Sequence, residues 1–411
     1  MTIAALPTIY RNRDFSFYIS SRFLSTVAMM VQSVAIGWQV YDIERTPLSL
    51  GLVGLCQFAP MFLFTLPAGE IADRFDQRKV LAIAQAMQGV CSALFLAFSL
   101  IAPRNVVPFY AVLVLFGIAR GFSGPSGSSL LAFLVPPEKL ARGIALSSSA
   151  FTTAVIAGPA IGGFLYKLGP VPSYALCFAC FLFAAVCTLT LGGRQVVHTP
   201  GEASRLERVK EGIRFVRERP IVMGAISLDL FAVLLGGAVA LLPVYARDIL
   251  HAGPVGLGIL RSAPAAGAAV IAFTLARWPV QRHSGTYMFS AVAIFGIATI
   301  VFGVSHSFPL SLVALFVIGA SDMISVYIRS TLINFATPDP MRGRVGAVNM
   351  LFIGASNELG EFESGITAQW FGTVPAVIVG GVGTLLIVAI WMKLFPPLRK
   401  VDRLEEVKPE D

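Results

Sequence analysis

The chain has 411 residues, 56% of them hydrophobic and 13% charged, with a formal net charge of +8 and a mean hydropathy of +0.76. Soluble domains carry roughly 25% charged residues, so this composition excludes one, and long continuous apolar runs exclude a barrel of short alternating strands. No nucleic-acid motif accompanies the positive balance, which suits a basic face against anionic lipid.

Twelve apolar runs read as membrane helices: residues 15–40, 48–72, 80–101, 107–135, 140–166, 172–192, 221–246, 254–276, 286–304, 309–335, 345–370 and 374–395. An even number puts both termini on one side. Lys and Arg gather in the connections of that side, while those of the other hold only Arg45, Arg104, Lys167 and Arg247. Both termini are therefore expected in the cytoplasm. Residues 1–14 show no apolar core before a small-residue cleavage site, so the first span is read as the targeting signal.

In chain order, the first span carries Arg22 and the fourth Arg120, charges that cost at least ~2.5 kcal/mol at a helix centre. Between spans two and three runs a charged stretch, Gly69-Glu-Ile-Ala-Asp73-Arg74-Phe-Asp-Gln-Arg78-Lys79. The fifth span contains Gly158-Pro159-Ala-Ile-Gly162-Gly163, where a missing backbone donor and three absent side chains permit a kink and close packing. All five cysteines fall within spans, and Cys177-Phe-Ala-Cys180 has no His, Asp or Glu near it in sequence to complete a zinc site. No metal or organic cofactor is called for.

The longest connection, 193–220, separates two sets of six spans. Ser204 and Glu207 read as a capping box, and Leu206, Val209, Ile213 and Val216 recur at helical spacing before Pro220, which predicts an amphipathic helix along the membrane surface. The domain reading is thus 1–192 as a first six-helix bundle, 193–220 as a cytoplasmic linker, 221–395 as a second bundle and 396–411 as a cytoplasmic tail. Pro136 to Arg142 and Pro338 to Arg344 repeat one spacing in corresponding loops, as expected of duplicated halves.

The second half holds most of the intramembrane acids. Asp229 lies in the seventh span, Arg261 in the eighth, Asp322 and Arg329 in the tenth, and Glu358, Glu361 and Glu363 in the eleventh. Asp322 and Arg329 share a helix face but stand roughly 10 Å apart along it, so pairing across helices is expected. Glu358 and Glu361 share a face at i, i+3. So many charges in spans call for a water-filled or mutually paired interior, which a solute pathway requires. No GxxxxGK[ST] loop is present, so an ion gradient and not ATP is the expected energy source.

The charged stretch at Gly69–Lys79 resembles the signature loop of the major facilitator superfamily, and the glycine–proline pattern at 158–163 is similar to that of its drug and metabolite exporters. Leu228-Asp229-Leu-Phe-Ala-Val, Asp339-Pro-Met-Arg342-Gly343-Arg344-Val and Asn357-Glu358-Leu-Gly-Glu361-Phe look like the branch that holds bacterial enterobactin exporters and drug efflux transporters. The resemblance implies an all-α fold of twelve transmembrane helices in two pseudo-symmetric six-helix bundles, not an enzyme. It implies proton-coupled export of a siderophore or a hydrophobic drug-like compound across the bacterial inner membrane by alternating access, with protons, a small-molecule substrate and the bilayer as partners, acting as a monomer.

Carried over by position, Gly69, Asp73, Arg74 and Arg78 would form a conformational latch and Arg120 the proton-linked arginine of the fourth helix. Arg22, Asp229, Asp322, Arg329, Glu358 and Glu361 complete the expected substrate and proton pathway, the arginines meeting an anionic part of the substrate. The equivalent loop of the second half, Arg277–Gly285, lacks the aspartate. Import or lipid and metabolite transport by the same fold, and a non-transporting membrane sensor, are the alternatives.

Overall fold

The computed structural model describes residues 13–101, 104–192 and 205–407. Among these the chain is helical, with no strand. Its long helices are α1 (Arg13–Glu44), α2 (Pro47–Arg74), α3 (Gln77–Ile101), α4 (Val107–Leu134), α5 (Leu140–Tyr166), α6 (Pro170–Leu189), α7 (Arg205–Glu218), α8 (Pro220–Leu235), α9 (Gly253–Arg277), α10 (Ser284–Val304), α11 (Phe308–Ala336), α12 (Asp339–Phe371) and α13 (Thr373–Leu394). Proline occupies the first turn of α4, α6, α8, α9, α11 and α12, where its missing N–H has no intrahelical partner to lose.

Eleven helical segments are long and apolar enough to cross a membrane. The 33-residue α12 is not among them, because Glu358, Glu361 and Glu363 interrupt its apolar run; with it the spanning helices number twelve. Large side chains such as Leu63, Ile101 and Phe273 stand exposed at 69%, 79% and 77%, which suits lipid and not water.

The chain divides into two compact units. Unit 1 holds residues 1–45, 56–202 and 253–262; unit 2 holds 46–55, 203–252 and 263–411. In unit 1, α1 packs on α5 and α6, and α3 packs on α4 and α6. A polar seam runs through the buried α1–α3–α6 contact: Gln85 Nε2 donates to Ser21 Oγ at 2.9 Å, and Gln85 Oε1 accepts from Thr188 Oγ1 at 2.9 Å. Further along, Ser92 donates to Gln32 at 2.5 Å, and Gln39 accepts from Tyr174 Oη at 2.8 Å. Paired amides and hydroxyls are cheap glue in a bilayer, where an unpaired one is costly.

In unit 2, α10 packs on α11 and α13, and α8 packs on α12 and α13. The seventh span, continuous in sequence from 221 to 246, is broken in the structure. After α8 come Gly236 and Gly237, a 3-10 turn at Ala238–Leu241 and a π-turn at Tyr245–Ile249. A Cβ at Gly237 would meet Ser364 Oγ at 2.5 Å and the Gly360 carbonyl at 2.6 Å, so the glycine pair lets α12 approach the backbone closely where the helix yields.

The linker helix expected from sequence forms as α7, although Ser204 of the expected capping box lies outside the described residues. It packs on α12, with Arg344 and Glu211 paired at 2.6 Å. The described part of the tail also packs on this unit. Leu398, Val401, Leu404 and Val407 are buried in one apolar cluster with Val216 of α7 and Val222 of α8. It also closes the start of α10: Asp402 Oδ1 accepts from the His283 N–H at 2.7 Å, and the Asp402 and Val401 carbonyls accept from Ser284 and Gly285 at 3.1 and 2.9 Å.

Candidate functional site

Unit 2 buries a charge array. Asp229, midway along α8, forms an ion pair with Arg329 of α11, at 5% and 2% exposure. Arg329 thus pairs across helices and not with Asp322 on its own helix. Asp322 lines a small cavity together with Asp229, Val292, Phe295, Ser321 and Ser325, and among the described residues it has no ion pair of its own. Two carboxylates therefore stand near one guanidinium. The Arg329 Nε and the Ser325 Oγ are buried without a hydrogen-bond partner. Such a cluster is neutral with one carboxyl protonated and carries one negative charge with both ionised. Because isolated charge is expensive at low dielectric, it has a physical reason to bind and release a proton.

In unit 1, Arg22 meets neutral groups. Arg22 Nη1 donates to Tyr18 Oη at 3.3 Å and the guanidinium lies over the Phe151 ring at 5.6 Å. Arg120 Nη1 reaches Gln57 Oε1 at 3.5 Å, beside other interactions. The Gly158–Gly163 pattern seats α5 on α1: a Cβ on Gly158 would come within 2.5 Å of Met30 Cβ, and one on Gly162 within 3.0 Å of Val31 Cα. Gly163 faces Gly258 of α9 in the same unit. Pro159 sits inside α5 without ending it.

Of the expected latch, Gly69 is buried at the end of α2 and Arg74 is exposed; the Asp73 side chain lies outside the described residues. Arg78 is bound within unit 1. It pairs with Asp76 at 2.8 Å and donates to the Leu191 carbonyl at 2.6 Å, while Asp76 Oδ1 accepts the Arg78 backbone N–H at 2.9 Å. The hydrogen bonds from Arg78 hold the Asp76 carboxyl below the usual carboxylate range.

Glu358 and Glu361 do not line the cavity of Asp229 and Asp322. Glu361 instead lies beside Gly54 of α2, where a Cβ would come within 3.0 Å of its Oε2, and Glu363 accepts from Thr367 at 2.7 Å. Sequence reasoning did not single out Asp402 or the glutamines of the polar seam. Gln32 with Gln39 and Ser92 with Ser99 each repeat at seven residues, a face-keeping interval that could have revealed the seam.

A bundle of twelve spanning helices with buried charge in its interior is the architecture of a membrane transporter. The description "transmembrane secretion effector" belongs to the family model that matches residues 8–410, and the chain belongs to that family, within the major facilitator superfamily. It is 25% identical over 385 residues to the enterobactin exporter EntS of Citrobacter koseri, covering 92% of this chain and 91% of that one. It is 26% identical, at the same coverage, to EntS of Shigella boydii. Among solved structures, a POT family transporter in complex with 5-aminolevulinic acid superposes with a TM-score of 0.76 at 12% identity, covering 94% of this chain and 97% of that one. The nucleoside transporter NupG superposes at 0.75 and 14% identity, covering 93% and 100%. These structures share the fold.

Proposed function

We propose that this transporter exports a siderophore or an amphipathic drug-like compound from the cytoplasm in exchange for protons. The observation that carries the reading is the Asp229–Arg329 pair with Asp322 on the adjoining cavity. Two carboxylates competing for one buried cation give a site whose charge changes by one when a proton binds, and such a change can be tied to a conformational cycle. The similarity to enterobactin exporters supports the direction and the substrate class. Arg22 and Arg120 supply positive charge for an anionic solute. Asp73, Arg74 and Arg78 act as a latch at the cytoplasmic end of α2, and both termini lie in the cytoplasm.

The test is uptake into inverted membrane vesicles of a siderophore, a macrolide and a lysophospholipid, with and without a proton gradient. Gradient-dependent uptake of one compound, lost in Asp322→Asn, is expected. Uptake of a compound that ignores both the gradient and this substitution would rule out the proposed coupling.

A further inference from the structure

Two intramembrane arginines, Arg329 and Arg22, stand in opposite surroundings. Arg329 of unit 2 is neutralised by Asp229. Arg22 of unit 1 has no ion pair among the described residues; its one hydrogen bond goes to Tyr18 Oη, whose own proton is spent on the Gly127 carbonyl at 3.0 Å. The buried Arg22 Nε has no partner, although a guanidinium offers five donors in a fixed fork suited to an oxyanion.

The surroundings of Arg22 follow from the packing of α5. Gly158 fits against Met30, so α1 and α5 run side by side in the same direction, and two turns earlier Phe151 comes to lie over the guanidinium. One turn before Phe151, on the same face of α5, Ser147 is buried with its hydroxyl also unpartnered. Phe151 itself is 40% exposed, so its ring leaves a face open for packing. Two orphaned donors on adjacent helices, a positive charge with no counter-ion and an accessible ring are what an organic anion needs and what a purely structural arginine lacks.

We infer that Arg22, Ser147 and Phe151 form a subsite for the oxyanion, carboxylate or phenolate, of an organic solute. The guanidinium and the serine hydroxyl donate to its oxygens and the Phe151 ring packs on the adjoining carbon skeleton. This rests on the reading of the chain as a small-molecule exporter and names the chemistry that one half of it recognises.

Equilibrium binding to the purified full-length protein tests this with two probes of one shape, 1-naphthoate and its uncharged amide. The wild type is expected to prefer the anion by about tenfold, the scale of one charge-assisted hydrogen bond. Arg22→Gln should abolish the preference by weakening the anion far more than the amide, and Arg22→Lys should keep part of it. A second measurement needs no variant: 1-naphthoate, but not the amide, should slow modification of Arg22 by phenylglyoxal, read by peptide mass. Absence of an anion preference in the wild type, a preference that survives Arg22→Gln, or no protection of Arg22 would overturn the subsite. Binding at equilibrium depends on neither direction nor gradient, so failure of vesicle transport and failure of this subsite are separate results.

Discussion

Arg329 holds a full charge almost out of contact with solvent, and its ion pair with Asp229 makes that tolerable. Removing one partner of such a pair strands the other: Asp229→Leu or Arg329→Met alone should cost about 3–5 kcal/mol, whereas the double variant should recover most of it. Thermal unfolding in detergent checks this, and equal loss in single and double variants would contradict it. Asp76 allows a pH statement. Its folded carboxyl is held below the ordinary value near 3.9 by Arg78, so its contribution is present above that value and lost as pH falls through the lower folded one. The stability gap between wild type and Asp76→Asn should therefore close in acid, below about pH 4, and hold steady at neutral pH. At this scale the sequence showed which residues were expensive, because a charge in an apolar run is visible in one dimension. It did not show partners: the seven-residue gap between Asp322 and Arg329 argued against a bond within the helix but could not point to Asp229 on α8.

Packing of α5 on α1 depends on Gly158 and Gly162, whose missing side chains admit Met30 and Val31. Gly158→Val would force Met30 and its backbone apart; overpacking of this kind costs about 1–3 kcal/mol, and transport should fall with it, whereas Val171→Ala, at an exposed position, should leave both unchanged. The start of α10 offers a second case. In the first half Asp76 caps α3 from within its own loop. The corresponding loop before α10 has no acid, and Asp402 supplies the carboxylate from the tail. Hydrogen exchange at residues 283–287 should rise roughly tenfold in Asp402→Ala, in line with a cap worth about 1 kcal/mol or more, and be restored in Asp402→Asn, whose amide oxygen still accepts. Helix number and the helix α7 were legible from periodicity. The break after α8 was not, since hydropathy stays high through Gly236 and Gly237, and the tail's role depends on a contact across more than a hundred residues of sequence.

Across the whole molecule, hydropathy alone carried the fold, because a bilayer permits few ways to satisfy a backbone. The even number of spans and the placement of Lys and Arg predict both termini in the cytoplasm, which single-cysteine labelling can check. In intact cells, with native cysteines replaced, Arg104→Cys should react with an impermeant maleimide and Lys400→Cys should not. The opposite pattern would invert the topology. The division into units was less legible: residues 46–55 group with unit 2 and residues 253–262 with unit 1, and linear order carries no sign of such exchanges. The docked tail has a consequence for synthesis. The first turn of α10 waits for residues that leave the ribosome more than a hundred positions later, so it stays incompletely closed until Val401 and Asp402 have emerged, and a nascent chain halted before them would remain open to proteases at that turn.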